Sequence, residues 1–222
     1  MKIMLAVILA AILGYMLGSL NFAIIVVKII TGKDIRTMGS KNGGLTNTYR
    51  CCGAAPAVLT LIGDLSKGVM AVAASRTIAY GLEAGLSPDN DTHYIGYVAG
   101  LFAVIGHIFP AYFQFRGGKG VLVGVASFLM VDPKVFVALL AIFIVIVALS
   151  HYVSVGSIIS AAYCPLATLL MSWLVDGDGF SRSLLYMVLS IPMAVIVIWM
   201  HRTNIQRLRD GNENKFSFKR AA

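Results

Sequence analysis

Charge is what this sequence has least of. Only 13% of its 222 residues are charged, ten of them acidic and eighteen basic, against 58% hydrophobic residues and a mean hydropathy of +0.83. So few charges cannot solvate the surface of so apolar a chain, which excludes an ordinary soluble enzyme and a disordered tail. Cysteine is also scarce. Cys51 and Cys52 are adjacent, which disfavours a strain-free bridge, and Cys164 lies in an apolar stretch, so no disulfide-stapled secreted module is indicated. Nucleotide fingerprints are missing: Gly117-Gly-Lys-Gly lacks the spacing of a P-loop, and no Gly-x-Gly-x-x-Gly follows a predicted strand, so ATP and NAD are not implied. The composition that remains is that of an integral membrane protein.

Seven apolar stretches run along the chain, near 3–27, 54–80, 94–113, 121–131, 135–149, 155–175 and 184–200. A helix needs about 20 residues to cross the hydrocarbon, so the spacing predicts an all-α polytopic protein with about seven transmembrane helices. The short fourth and fifth stretches, on either side of Asp132-Pro133-Lys134, can also be read as a broken or re-entrant pair. The first stretch follows Lys2 as a signal peptide would, but it runs past the usual apolar length without a small-residue cleavage site, so it is read as a retained helix.

Seven crossings sort the cations. One face, holding 31–53, 114–120, 150–154 and the tail after His201, carries Lys28, Lys33, Arg36, Lys41, Arg50, Arg116, Lys119, Arg202, Arg207, Arg209, Lys215, Lys219 and Arg220; the other carries Lys2, Arg76, Lys134 and Arg182 beside Glu83, Asp89, Asp91, Asp132, Asp176 and Asp178. Thirteen against four predicts that the first face is cytoplasmic, the N-terminus outside and the C-terminus inside. The net charge of +8 is thereby explained by membrane orientation, with no nucleic-acid partner.

Glycine, serine and asparagine concentrate on that same face, in Gly39-Ser-Lys-Asn-Gly-Gly-Leu-Thr-Asn-Thr-Tyr-Arg50 and Arg116-Gly-Gly-Lys-Gly-Val121. Glycine lets backbone N–H groups approach an anion, and an adjacent Lys or Arg supplies charge, so the two loops predict cradles for two anionic groups. A third element starts where the last apolar stretch ends. If the helix continues, His201 and Asn204 share a face at i,i+3, whereas the Arg and Lys around them also fit a plain anchor to anionic lipid.

Other features have plainer readings. Asp64 and Lys67, at i,i+3 inside the second stretch, must pair or face a polar cavity. Gly14 with Gly18, and Gly96 with Gly100, read as close helix packing. His107 reads as a hydrogen-bonded structural imidazole, because no ligand-spaced partners flank it; no metal and no other cofactor are predicted. Cys51 beside Arg50 has no adjacent His to act as base and reads as inert. Ser154 to Ser157 reads either as a pair of helix N-caps or as a substrate contact.

Taken together, the polar segments resemble the bacterial membrane-embedded glycerol-3-phosphate acyltransferases that use acyl phosphate, the PlsY family. The resemblance covers essentially the whole chain, through Gly39-Ser-x-Asn-x-Gly-x-Thr-Asn-x-x-Arg50, Gly63-Asp-x-x-Lys-Gly68, Gly106-His-x-Phe-Pro110, Phe115-x-Gly-Gly-Lys-Gly-Val121, Tyr152-Val-Ser-x-Gly-Ser-Ile158 and His201-x-x-Asn-Ile-x-Arg-Leu-x-x-Gly-x-Glu-x-Lys215. Six motifs in one order are specific where each alone is weak. Two departures stand out: Gly43, expected to loosen the first loop, and Leu122-Val123, bulkier than the residues the family places after the lysine loop.

The resemblance implies a single acyltransferase domain over 1–222 in the bacterial inner membrane, its site built from 31–53, 114–120 and 201–222 on the cytoplasmic face. It implies transfer of a fatty acyl group from acyl phosphate to the 1-hydroxyl of glycerol 3-phosphate, the first step of phospholipid synthesis, with the bilayer as surroundings and no obligate protein partner. Matched by position, Ser40, Arg50, Lys119, Ser157, His201 and Asn204 are the expected catalytic set. Asn42, Gly44, Thr46, Asn47, Gly117, Gly118, Gly120 and Ser154 are the expected phosphate and substrate contacts, with Asp64, Lys67, His107, Arg207 and Glu213 as structural polar groups. The His-x4-Asp motif of acyl-CoA-dependent enzymes is absent, since the fifth residues after His93, His107, His151 and His201 are Val98, Tyr112, Gly156 and Gln206. The rival reading is a secondary transporter of phosphorylated metabolites, although no duplicated hydropathy pattern supports it.

Overall fold

In a computed structural model of the chain, residues 1–85 and 91–215 are described. Asp89, and the end of the tail at 216–222 with Lys219 and Arg220, lie outside the described residues. Ten α-helices and no strand are present among the described residues, and six helical segments are long and apolar enough to cross a membrane. The fourth apolar stretch, α6 (Val121–Val131), is a helix of 11 residues, about 16 Å against roughly 30 Å of hydrocarbon.

The chain packs as two compact units, one over Met1–Val131 and one beginning at Asp132. In the first unit, the stretch read from sequence as one helix is two. α1 (Lys2–Gly18) stops, and Asn21 starts α2 (Phe22–Thr31) by accepting from Ile24 N at 3.1 Å. A single amide in thirty largely apolar residues does not interrupt the hydropathy, yet its carbonyl oxygen competes for the backbone and caps a new helix.

α1 packs on α5 (His93–Ile108) at backbone contact: a Cβ on Gly14 would lie 2.4 Å from Ala99 O, and one on Gly18 2.1 Å from Ala103 O. The small-residue reading of this pair is therefore correct, and the approach is closer than side chains permit. α4 (Ala54–Gly81) runs against α1, α2, α5, α6 and the short α3 (Leu45–Cys52). α6 is short because the loop before it ends inside the bundle: Gly120, at φ +82, sits against Val104 and Ile108 near the end of α5.

The second unit stacks α8 (Val153–Leu170) against both α7 (Pro133–Ser150) and α9 (Phe180–Met200). Asp132 caps α7 by accepting from Lys134 N and Val135 N at 3.0 and 3.2 Å, and Pro133 follows at the position where its missing N–H costs nothing. α8 continues into a π-helical turn, Met171–Val175. α9 does not run on through the tail. It ends at Met200, and His201 opens a separate helix, α10 (Arg202–Arg209).

Candidate active site

In the first unit, the two glycine-rich segments are built into each other. Asn47, 2% exposed, organises the first: its Oδ1 accepts from Ser40 N at 2.9 Å, and its Nδ2 donates to the carbonyls of Met38 and Asn42, both at 3.0 Å, and of Ile35 at 3.3 Å. Its amide is thus committed to shaping the loop that presents Ser40. Ser40 and Arg50 are exposed, Asn42 and Thr46 partly so, and Gly44 caps α3 by accepting from Asn47 N and Thr48 N, each at 3.1 Å. Arg50 occupies the last turn of α3, where a cation suits the helix dipole.

Gly43 does not loosen this loop. It is buried, its N–H donates to Gly117 O at 3.3 Å, and its carbonyl accepts from Asn21 Nδ2 at 3.0 Å, so the break after α1, the first loop and the glycine turn are tied at one residue. Arg36 adds a second tie by donating to Phe113 O at 2.6 Å and Arg116 O at 3.0 Å. The Arg36 guanidinium, hydrogen-bonded to Asp34, holds that carboxyl below its ordinary range.

The glycine turn corrects one expectation. The N–H groups of Gly117 and Gly118 donate to Ile108 O at 3.0 Å and His107 O at 3.1 Å, so these amides are used inside the fold and do not face an anion. The first N–H groups of α6, which follow this turn, have no intrahelical acceptors. Gly117 and Gly118 serve by close approach: a Cβ at Gly117 would lie 1.9 Å from His107 O, and one at Gly118 2.1 Å from His107 Nε2. Lys119, partly buried, follows directly.

Beneath the turn lies a polar hub. Lys67 Nζ is 2.9 Å from Asp64 Oδ1, 2.8 Å from His107 Nδ1, and donates to Leu20 O at 2.7 Å; the Asp64 and Lys67 side chains are each 2% exposed. The pairing of Asp64 with Lys67 was visible at i,i+3, but the arrival of His107 and of the α1–α2 break was not. Asn21 and Arg36 escaped the reading of the site for the same reason: their partners are remote in sequence. The one hint was the short echo of Gly18-Ser-Leu-Asn21 in Gly39-Ser-Lys-Asn42.

In the second unit, Glu213 gathers the tail. Its Oε1 accepts from Asn204 Nδ2 at 2.6 Å and Ser154 Oγ at 2.9 Å, and its Oε2 accepts from Arg207 Nε at 2.7 Å. Burial pushes its carboxyl up, but the three hydrogen bonds together outweigh that and hold it below its ordinary range. His201 and Asn204 are both buried while Arg202 and Thr203 are exposed, so the pair does share a face although the helix breaks between α9 and α10. His201 Nδ1 lies 2.8 Å from Val197 O. A carbonyl only accepts, so Nδ1 is the donor of this bond.

Neither serine of 154–157 caps α8, which starts from Tyr152; Ser157 Oγ donates back to Val153 O at 2.9 Å, and both serines are buried. Burial and the neighbouring Cys52 raise the Cys51 thiol, which leaves it protonated and unreactive at neutral pH.

The structure is that of a helical protein with six helices long and apolar enough to cross a membrane, which buries lysine, histidine and asparagine beside glycine turns. Similarity to known proteins narrows the class. The model of the family described as glycerol-3-phosphate acyltransferase matches residues 8–211, and the chain belongs to that family. A glycerol-3-phosphate acyltransferase of Shouchella clausii is 40% identical over 210 residues, 94% of this chain and 95% of its own; one of Clostridioides difficile is 37% identical over 213 residues, 96% and 97%. Among solved structures, PlsY (YgiH), an integral membrane glycerol 3-phosphate acyltransferase, superposes with a TM-score of 0.77 in its glycerol 3-phosphate form and 0.74 in its lysophosphatidic acid form. It is 29% identical, and the comparison covers 95% of this chain in both. The chain is a multi-span integral membrane protein.

Proposed function

We propose that the chain transfers a fatty acyl group from acyl phosphate to the 1-hydroxyl of glycerol 3-phosphate, releasing lysophosphatidic acid and phosphate, at the cytoplasmic face of a bacterial inner membrane. The observation that carries this reading is full-length similarity to a protein solved with both glycerol 3-phosphate and lysophosphatidic acid. Acyl transfer requires the polar groups of both units to serve one pair of substrates, and in that sense 1–222 is one catalytic domain.

Lys119 and the backbone at the start of α6 hold one phosphate. Arg50, an exposed fork of donors in the last turn of α3, grips the other with Ser40 beside it. His201 and Asn204 orient glycerol 3-phosphate, and Ser157 contributes a hydroxyl nearby. Asn42, Gly44, Thr46 and Ser154 complete the polar surroundings, with Glu213 and Arg207 keeping Asn204 and Ser154 in place. The attacking hydroxyl oxygen forms the new ester bond to the acyl carbon while the carbon–oxygen bond to phosphate breaks. Acyl phosphate is a mixed anhydride with a good leaving group, so positioning and charge stabilisation suffice without a covalent acyl-enzyme. The hydroxyl proton passes to an oxygen of the donor phosphate, or to His201 Nε2. His201→Gln enzyme that keeps most of its turnover and its pH profile assigns the proton to the donor.

The decisive assay is purified protein in detergent micelles with acyl phosphate and radiolabelled glycerol 3-phosphate. Labelled lysophosphatidate is expected; since micelles have no second compartment, its absence favours the transporter reading. Acyl-CoA without acyl phosphate is expected to give none. Single thiols introduced beside Lys119 and His201, in a chain freed of its three cysteines, are expected to react with impermeant reagent only from the cytoplasmic side. Labelling from opposite sides refutes the shared site.

A further inference from the structure

We propose that Lys67 and His107 are positioning residues for the Lys119 turn: the buried ammonium orients the imidazole, and the imidazole fixes the seat on which the turn rests. This rests on the proposed role of Lys119 in holding a phosphate.

Lys67 Nζ donates to Leu20 O at the α1–α2 break at 2.7 Å, is hydrogen-bonded to His107 Nδ1 on α5 at 2.8 Å, and is ion-paired with Asp64 Oδ1 on α4 at 2.9 Å. An ammonium has no acceptor capacity, so His107 Nδ1 must accept, and its ring proton sits on Nε2. Ring rotation and tautomer are therefore both set by Lys67. The consequence reaches the turn directly. His107 O accepts from Gly118 N at 3.1 Å, and its ring Nε2 stands where a Gly118 Cβ would be, at 2.1 Å. The same virtual Cβ lies 2.7 Å from Gly43 O, so no slack exists on either side of the turn. A rotated His107 ring would press on Gly118, and Lys119 is the next residue.

The arrangement is more than packing of a charge pair. Asp64 alone would neutralise Lys67, and a hydrophobic pair of similar volume would pack as well at less desolvation cost. What the ammonium adds is a direct hydrogen bond to the residue under the turn. A shift of about 1 Å in a substrate-holding group can cost on the order of 100-fold.

The test compares His107→Leu with His107→Asn, whose amide oxygen takes the place of Nδ1 and still accepts from Lys67, and adds the double variant Asp64→Asn/Lys67→Met, which removes both buried charges together. Thermal stability, kcat and the KM of each substrate are measured for all. His107→Leu and the double variant are expected to raise the KM of one phosphorylated substrate at least about tenfold, leaving the other within about threefold, while His107→Asn stays within about threefold of wild type for both. Unchanged KM values with a smaller active fraction, or indistinguishable behaviour of His107→Leu and His107→Asn, overturn the proposal. If His107→Leu does not fold, the double variant decides on the same criterion. Failure of the acyltransferase reading shows separately, as wild-type protein that makes no lysophosphatidate.

Discussion

Gly117→Ala puts the glycine turn to its strictest test. The added methyl would stand 1.9 Å from His107 O and 2.8 Å from Pro110 Cδ, and the nearest obstacle is backbone, which cannot swing aside as a side chain can. Carbon and oxygen tolerate no approach below roughly 3 Å, so the turn must move by about 1 Å. It cannot do so without lengthening the bonds from Gly117 N to Ile108 O and from Gly118 N to His107 O. Overpacking of this kind costs about 1–3 kcal/mol of stability, which leaves a folded population. The functional cost is larger, because displacing Lys119 by about 1 Å lowers kcat/KM on the order of 100-fold. Lysophosphatidate formation in micelles, normalised to the folded fraction from a thermal melt, measures this directly. Gly81→Ala is the control: it lies in the last turn of α4 with nothing within 4 Å of its virtual Cβ, and it is expected to keep full activity. Gly117→Ala enzyme turning over within about threefold of wild type would refute the geometry of the turn.

Three further outcomes follow from the same structure. Asn47→Ala removes four hydrogen bonds that shape the first loop; it is expected to cost about 2–4 kcal/mol and to expose the 39–50 loop to limited proteolysis. Glu213 ionises below its ordinary value of 4.5. Its clamp on Asn204, Ser154 and Arg207 is therefore fully present above the unfolded-state pKa and is lost as pH falls through the lower folded-state value. Proteolysis at the tail should rise at acid pH in wild type, while Glu213→Gln should show a loosened tail already at pH 7 and little further change. Gly18→Val, a methyl-bearing intrusion 2.1 Å from Ala103 O, is expected to separate α1 from α5 and abolish a cooperative melt.

Much of the fold was legible because lipid imposes simple rules. Hydropathy marked the crossing helices, and their glycines marked where helices touch. The break at Ser19–Asn21 stayed hidden because hydropathy averages over a window, and one asparagine weighs little among Ile, Val and Leu. At the candidate site, residue type suggested anion chemistry at Gly39–Arg50 and Arg116–Val121, but not which amides the fold itself uses. Gly117 and Gly118 looked like donors to a ligand; their N–H groups are claimed by carbonyls at the end of α5, a non-local pairing that no local pattern encodes. His107, read as a hydrogen-bonded structural imidazole, is hydrogen-bonded to Lys67. Its contacts with Lys67, forty residues away in sequence, and with Gly118 are tertiary facts.

The backbone contact of α1 with α5 also has a bearing on biogenesis. Gly14 and Gly18 meet Ala99 and Ala103, 85 residues later in each case. At a synthesis rate of about 5–20 residues per second, the first helix must wait roughly 4–17 s in the bilayer before its mate leaves the ribosome. Throughout that interval its glycine ridge is open to any other small-residue helix nearby, so a nascent chain arrested short of α5 is a natural client for membrane chaperones and quality-control proteases.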